Sequence, residues 1–521
     1  MSKDDVFSDN IASNNSRIAR NTLMLYIRMA CIIAISFFTT REVLRALGVD
    51  DFGIANVVGG VVSMFQFLGG MLSSAISRYL NYHLGRGDYD GLKKIFNLIR
   101  LLNAGLLALI VLLCESVGVF VFHRYLDLPK DSIASAFIFF QFSIFTFAAN
   151  IATTPYMSLV ISRENMKAFS LFSVLEALLK LAIVYALYLD LFGRLEFYGA
   201  LLFGVSMAHL ALYFILCKVK YPETERYFFW DRSKALEIVS FGGWNFFGSI
   251  SSLFTDVLVN ILLNNFFGIL VNAARGIVMQ LSNAVSSFSV NFMTATRPQI
   301  MKYWASENRA QACSLTMKSS KFCFYLVLLF ALPAMIEMDF LLKLWLGKVP
   351  PYTLVFAELT MLRLLIDSYS TPLVTLVQAT GRVALYQCVV GLTLWSTLPV
   401  SYLFLKAGFP PESVFMVAIG ISILAMVERV LLLRRQTGFP VLDFSVKVVG
   451  KSIAAAAISA VLPFSLTFFM PDSAFRFIAV CALSVSALAL SVWFVGLDSS
   501  ERDYVSSAFL RKVASLRGIF S

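Results

Sequence analysis

Apolar residues run through this chain in long stretches, without the alternation of strands or the single stripe of a surface helix. Stretches near the ~20 residues needed to cross ~30 Å of hydrocarbon fall at 20–43, 53–76, 95–122, 131–161, 168–189, 197–219, 237–263, 271–296, 320–342, 352–379, 384–405, 411–433, 449–470 and 474–495. The pattern predicts an all-α polytopic membrane protein with about 14 transmembrane helices. Polar segments between them are too short for a soluble domain. The longest, 218–234 and 297–318, each read as a short interfacial helix, with Trp230 and Trp304 at headgroup level.

The stretch from Leu236 to Trp304 organises the rest. Its two apolar helices meet at a turn around Phe267-Gly268, the first carrying Asp256 and the second Arg275. A charge deep in a membrane helix costs roughly 2.5 to 3.5 kcal/mol on insertion scales, so such residues point to a function or to a partner. At ~1.5 Å rise per residue both sit about 7 to 12 Å below the same membrane face, and they are expected to meet across the hairpin.

Self-similarity at a fixed offset suggests that the first twelve spans are two sets of six. Asp51-Phe52-Gly53-Ile54 matches Phe266-Phe267-Gly268-Ile269, and Thr154-Pro155 followed by Leu159-Val160 matches Thr371-Pro372 followed by Leu376-Val377. An offset of six spans preserves orientation, which implies a pseudo-two-fold axis along the membrane normal and a substrate cavity between the halves. The expected organisation is a cytoplasmic tail (1–19), a six-helix lobe (20–219), a cytoplasmic linker (220–236), a second six-helix lobe (237–433), a linker (434–448), two additional spans (449–495) and a cytoplasmic tail (496–521). Pro155 and Pro372, each removing a helix hydrogen bond at matched positions, read either as hinges or as kinks that serve packing.

Composition agrees with this pattern. Of 521 residues 58% are hydrophobic and 14% charged, against about 25% charged in ordinary soluble domains. With the N-terminus on the cytoplasmic side, Lys and Arg show a roughly threefold excess in the cytoplasmic segments, which places both termini in the cytoplasm. This bias accounts for the net charge of +11 without a nucleic-acid partner. The polar first twenty residues do not resemble a cleaved signal peptide. The seven cysteines lack metal-like spacing and read as small apolar residues.

No phosphate-binding G-x-x-x-x-G-K-[ST] loop is present, and the D-x-D of Asp88-Tyr89-Asp90 has no domain to hold a nucleotide. His83, His123 and His209 are too scattered for a metal site, and His209 reads as a hydrogen-bonded packing residue before a proton relay. No cofactor is expected. The intramembrane charges carry more. Arg28 has no acidic neighbour three or four positions away, so it must line a cavity, snorkel or find a partner on another span. Arg275 is a cavity residue or the partner of Asp256. Glu176 with Lys180, and Arg363 with Asp367, lie at i and i+4 and can satisfy each other, yet an anionic substrate or protonation can open such pairs. Asp256, Asp367 and Glu176 are candidate coupling-ion positions. Arg41 and Arg45 add positive charge at the outer end of span 1, or anchor it at the interface with Glu42, Asp50 and Asp51. The unpaired charges lean positive, and guanidinium donors in a low-dielectric cavity suit a phosphate or pyrophosphate.

Four segments carry a family likeness: ALGVDDFGIANVVGGVVSMFQFLGGMLSSAISRYLNYHLGRGD, TTPYMSLVISRENMKAFSLFSVLEALLKL, VNILLNNFFGILVNAARGIVMQLSNAVSSFSVNFMTATRPQI and QATGRVALYQ. Over about residues 17 to 435 the chain resembles the polysaccharide-flippase (Wzx-like) branch of the multidrug/oligosaccharidyl-lipid/polysaccharide exporter superfamily. The resemblance implies two six-helix lobes in a MATE-like V. It also implies movement of a polyprenyl-pyrophosphate-linked O-antigen, capsule or exopolysaccharide repeat across the bacterial cytoplasmic membrane, with glycan polymerase and chain-length machinery as partners. Cavity arginines of the family engage the pyrophosphate, and Arg28 and Arg275 are the positions here that map to them. Drug exporters of the superfamily place acidic residues in spans 7 and 10, where Asp256 and Asp367 lie, but span 1 lacks their mid-membrane carboxylate. The alternatives are a cation-coupled multidrug antiporter of the same fold, and a non-transporting membrane component or enzyme of glycan assembly.

Overall fold

A computed structural model describes residues 3–63, 65–125, 132–188, 193–225, 227–499 and 501–502, with side chains described from Arg17 onward except at scattered positions that include Asp256. Among the described residues the regular structure is helical throughout, and ten helices are long and apolar enough to cross a membrane. The other four expected spans also fall on helices.

The chain divides into two compact units. The first, Asn21–Ser249 with Met301–Glu307, holds most of α1 (Lys3–Ser63), α2 (Gln66–Arg86), α3 (Tyr89–Arg124), α4 (Ile133–Ser162), α5 (Met166–Leu187), α6 (Arg194–Lys220) and the start of α7 (Arg232–Phe267). The second is chiefly Ile250–Ile300 and the chain from Asn308 onward. It holds the rest of α7, most of α8 (Ile269–Ala305), α9 (Arg309–Ile336), α10 (Met338–Leu346), α11 (Thr353–Asp367), α12 (Ser370–Thr380), α13 (Ala384–Lys406), α14 (Glu412–Thr437), α15 (Val441–Phe469) and α16 (Ala474–Gly496).

The same corners recur in both units. A helix ends on a left-handed residue, which turns the chain and satisfies its last carbonyls, and an Asp or Asn follows whose side chain caps the next helix. Gly87 (φ 67°) precedes Asp88, Glu164 (φ 57°) precedes Asn165 and Glu307 (φ 62°) precedes Asn308. The three caps accept hydrogen bonds from the amides of Gly91 at 2.8 Å, Ala168 at 3.3 Å and Gln311 at 3.3 Å. The Gly87-Asp88 and Glu307-Asn308 corners are 220 positions apart, and Glu164 is 217 positions from the left-handed Gly381 (φ 78°).

That register corrects one sequence match. The break in α1 is at Gly48 (φ 81°), which corresponds to Gly268 (φ 79°) between α7 and α8. Only glycine adopts this backbone conformation without a steric penalty. Gly53, paired with Gly268 by sequence, lies five positions further along the helix and makes no turn.

The matched prolines have different settings. In the first unit α4 continues through Pro155, whose missing N–H leaves the Ile151 carbonyl without its helical donor. Buried Asn103 of α3 supplies one, donating Nδ2 to that oxygen at 3.0 Å. In the second unit the helix is interrupted at Ser368 and Tyr369, which keep right-handed helical angles, and Pro372 stands in the first turn of α12, so the carbonyl left without its helical donor is that of Ser368. Ser320 of α9, 217 positions after Asn103, donates to the Tyr369 carbonyl at 3.2 Å.

The last two spans, expected as an appendix, are fastened to α9. At its C-terminal end Glu337, fully buried, accepts two hydrogen bonds from Arg476 of α16, at 2.7 and 2.8 Å. Further back along α9, buried Lys321 lies 2.6 Å from Glu501 and 3.7 Å from Asp498, and Asp498 also pairs with Lys451 of α15.

Candidate functional site

In the second unit two of the expected cations come together. Arg275, two turns past the Gly268 corner on α8, and Arg363, near the end of α11, line one cavity of about 50 Å³ with Thr255, Val259, Leu394, Thr397, Val414, Phe415 and Ala418. Arg275 is 8% exposed. The i,i+4 spacing places Arg363 Nε 3.3 Å from Asp367 Oδ2, and the same Nε donates to Ser422 Oγ of α14 at 3.2 Å. A guanidinium carries five N–H donors, and the described contacts of Arg363 use only the one on Nε. The cavity therefore gathers two guanidiniums and two threonines, and the carboxylate of Asp367 lies off the lining. The Asp256 side chain lies outside the described residues, so its expected pairing with Arg275 is not placed.

The first unit gathers a different set. Arg28 of α1 lies over the Phe169 ring at 4.6 Å and donates from Nη1 to Ser173 Oγ of α5 at 3.3 Å. A cation over an aromatic face in a desolvated setting gains about 2 kcal/mol, which offsets much of its insertion cost. One turn along α5, Glu176 takes Lys180 at 2.6 Å and faces His209 Nε2 of α6 at 3.5 Å. Tyr213, fully buried on α6, meets His209 edge-on at 5.0 Å and Phe172 at 5.1 Å. His209, read from the sequence as a packing residue, thus stands against the carboxylate proposed for ion coupling.

Arg41 and Arg45 are remote from that cluster, far along α1. Both are exposed, and Arg45 pairs with Glu42 at 2.7 Å.

A MATE transporter in the bent conformation matches this chain with a TM-score of 0.71, at 14% identity over 84% of this chain and 97% of that one. The fold is that of the MATE transporters. The MATE transporter ClbM in complex with Rb+ matches at 0.67, with 16% identity over 81% of this chain and 94% of that one. A multidrug/oligosaccharidyl-lipid/polysaccharide superfamily transporter from Pyrococcus furiosus, whose binding pocket of reverse polarity suggests a different function, matches at 0.65, with 12% identity over 82% and 97%. No family model matches the chain and no curated protein matches it. The MATE fold accounts for the long apolar helices. At these identities it says nothing about what the cavities take.

Sequence reasoning missed the groups that hold the charges in place. Ser173 and Ser422, which accept from Arg28 and Arg363, are hydroxyls on apolar helices, as are Thr255 and Thr397 of the cavity lining, and Asn103, which serves a backbone carbonyl, is one amide in span 3. Nothing local distinguishes them from the many other small polar residues of the spans. The 217-position relation between Asn103 and Ser320 is invisible as well, because the two residues share no chemistry beyond donating a hydrogen bond.

Proposed function

We propose that this protein is a flippase for a polyprenyl-pyrophosphate-linked oligosaccharide, an O-antigen, capsule or exopolysaccharide repeat unit, in the bacterial cytoplasmic membrane. The observation that carries this reading is the convergence of Arg275 and Arg363 on one cavity. Guanidiniums lining a small low-dielectric space attract an anion, and their planar donor arrays match phosphate oxygens. The Pyrococcus furiosus transporter of this fold, with its reverse-polarity pocket, offers a parallel. In this scheme the headgroup is taken up from the cytoplasmic leaflet, the polyprenyl tail stays in lipid, and alternating access delivers the sugars outward to glycan polymerase and chain-length machinery. No bond is made or broken, so the protein acts as a secondary transporter with both termini in the cytoplasm.

Arg28, in the first unit, is a separate cationic candidate, and Arg41, Arg45 and Lys180 supply weaker positive charge. Among the coupling candidates Asp256, Asp367 and Glu176, the last is favoured for protons because His209 Nε2 stands 3.5 Å from it.

The test is transbilayer movement of a polyprenyl-pyrophosphate oligosaccharide in proteoliposomes, comparing native protein with Arg275→Gln and Arg363→Gln at matched incorporation. Movement by the native protein that stalls in both variants supports the reading. Native protein that moves no such lipid but expels a cationic dye under an ion gradient overturns it in favour of a multidrug antiporter.

A further inference from the structure

A second cavity, of about 280 Å³, lies within the first unit between α1, α4 and α6, and none of the described residues that line it is charged. One wall is aromatic: Phe139 and Tyr198 stack with centroids 6.1 Å apart and planes 5° from parallel. The polar groups are Ser143, Thr146 and Asn150, which continue along α4 from Phe139 at i+4, i+7 and i+11 in an otherwise apolar run, so that all four share one helix face. Thr146 Oγ1 is buried and has no hydrogen-bond partner. Asn150 is exposed, and no described hydrogen bond uses its side-chain amide. A buried hydroxyl without a partner costs about 1 to 3 kcal/mol, a cost that a ligand hydroxyl removes.

We infer that this cavity is a subsite for one neutral sugar ring, with Phe139 and Tyr198 receiving its C–H face and Asn150, Thr146 and Ser143 its hydroxyls. The volume lies just below the range of drug-sized pockets, about 300 to 1,000 Å³, which suits a single hexose or acetamido sugar and not a whole repeat. A cationic drug finds no carboxylate there, and a phosphate finds no cation. The sugar identity rests on the flippase reading; the neutral, hydroxyl-bearing character of the ligand rests on the cavity.

Gly59 provides the means to test this. It lines the cavity, and a Cβ built on it meets nothing within 4 Å, so a larger side chain there fills the space without moving the backbone. Saturation-transfer NMR on purified full-length protein with methyl glycosides of glucose, galactose and N-acetylglucosamine is the measurement. The expected result is transfer to at least one glycoside, abolished in Gly59→Phe and reduced about fivefold or more in Asn150→Ala, a change of the size of one lost hydrogen bond. Matched elution and melting of the variants check their folding; should Gly59→Phe fail to fold, Asn150→Ala and Thr146→Val decide. No transfer from any of the three, or transfer unchanged in folded variants, overturns the inference, as does displacement of nothing but tetraphenylphosphonium or detergent. Lipid transport in the same preparation separates the two claims: lipid that moves without sugar binding leaves the flippase reading standing and removes the subsite, and the converse result does the opposite.

Discussion

In the first unit the membrane-embedded charges are answered as soon as they arise. Glu176 takes Lys180 and faces His209, Arg28 rests on Phe169 and Ser173, and no described residue lining the larger cavity of that unit is charged. In the second unit two guanidiniums share one small cavity, and the strongest ion pairs lie away from it, fastening α15 and α16 to α9. The same left-handed corner and side-chain cap precede helices of both units, α3 and α5 in the first and α9 in the second. The contrast teaches that the corners fix the helix frame, while the residues one turn apart inside it set the chemistry.

The largest effect should come from the paired arginines. The double variant Arg275→Gln/Arg363→Gln is expected to lower lipid transport by 100-fold or more, since each hydrogen bond to a charged group is worth about 1.5 to 3 kcal/mol. Arg28→Gln should cost only about tenfold. Equal losses in proteoliposomes would erase the difference between the units.

Next in size is stability. Glu337→Ala strips buried Arg476 of its bidentate partner, leaving Asp472 at 2.5 Å, and should destabilise the protein by about 3 kcal/mol. Lys180→Met, at a pair whose lysine is 43% exposed, should cost under about 1 kcal/mol. Thermal unfolding of the two purified variants checks the order, and a larger loss from Lys180→Met would contradict it.

A smaller effect separates the two proline sites. Asn103→Ala leaves the Ile151 carbonyl without a donor and should cost about 1 kcal/mol. Adding Pro155→Ala restores the backbone N–H and should recover it. Ser320→Ala should not be rescued by Pro372→Ala, because Ser320 serves the Tyr369 carbonyl, whereas the restored N–H reaches the Ser368 carbonyl four residues back. Melting temperatures of the native protein, the single variants and the two double variants complete both cycles.

The smallest effects belong to the corners. Asn165→Ala and Asn308→Ala should each cost about 1 kcal/mol, as lost helix caps do. The Gly91 amide and then His83 hold the Asp88 carboxyl below the usual aspartate range. Its folded value being depressed, the contribution of Asp88 is complete at neutral pH and fades as pH falls below the ordinary value of about 3.9 toward the lower folded one. Asp88→Asn keeps a capping oxygen and should flatten that part of an acid melting series; an unchanged slope would show that the cap carries no such linkage.

Much of the frame was legible in the chain. Twenty-residue apolar stretches admit only helices in a bilayer, because backbone groups there must bond within their own segment. The Gly268 corner was readable because a glycine between two long apolar runs marks a place where the chain can turn without strain. The register of the repeat was less so: Asp51–Ile54 resembled Phe266–Ile269, yet Gly48 makes the turn, since a four-residue likeness carries no conformational information. Glu164 and Glu307 at left-handed corners were invisible for the opposite reason, glutamate being an ordinary helix residue. Of the candidate site, Arg28, Arg275 and Arg363 stood out by the cost of their charge, but nothing in the sequence said which two share a cavity.

The sequence by itself determined the helices, their apolar length, the i,i+4 pairs Glu176–Lys180 and Arg363–Asp367, and the presence of charge inside the membrane, because each depends on neighbours within one or two turns. Tertiary structure alone decided that Arg275 and Arg363 line one cavity, that His209 faces Glu176, that Asn103 serves the carbonyl above Pro155 and that α16 is held by Glu337. Those contacts join residues 33 to 139 positions apart. At such separations helix packing sets which side chains meet, and local pattern carries no record of it.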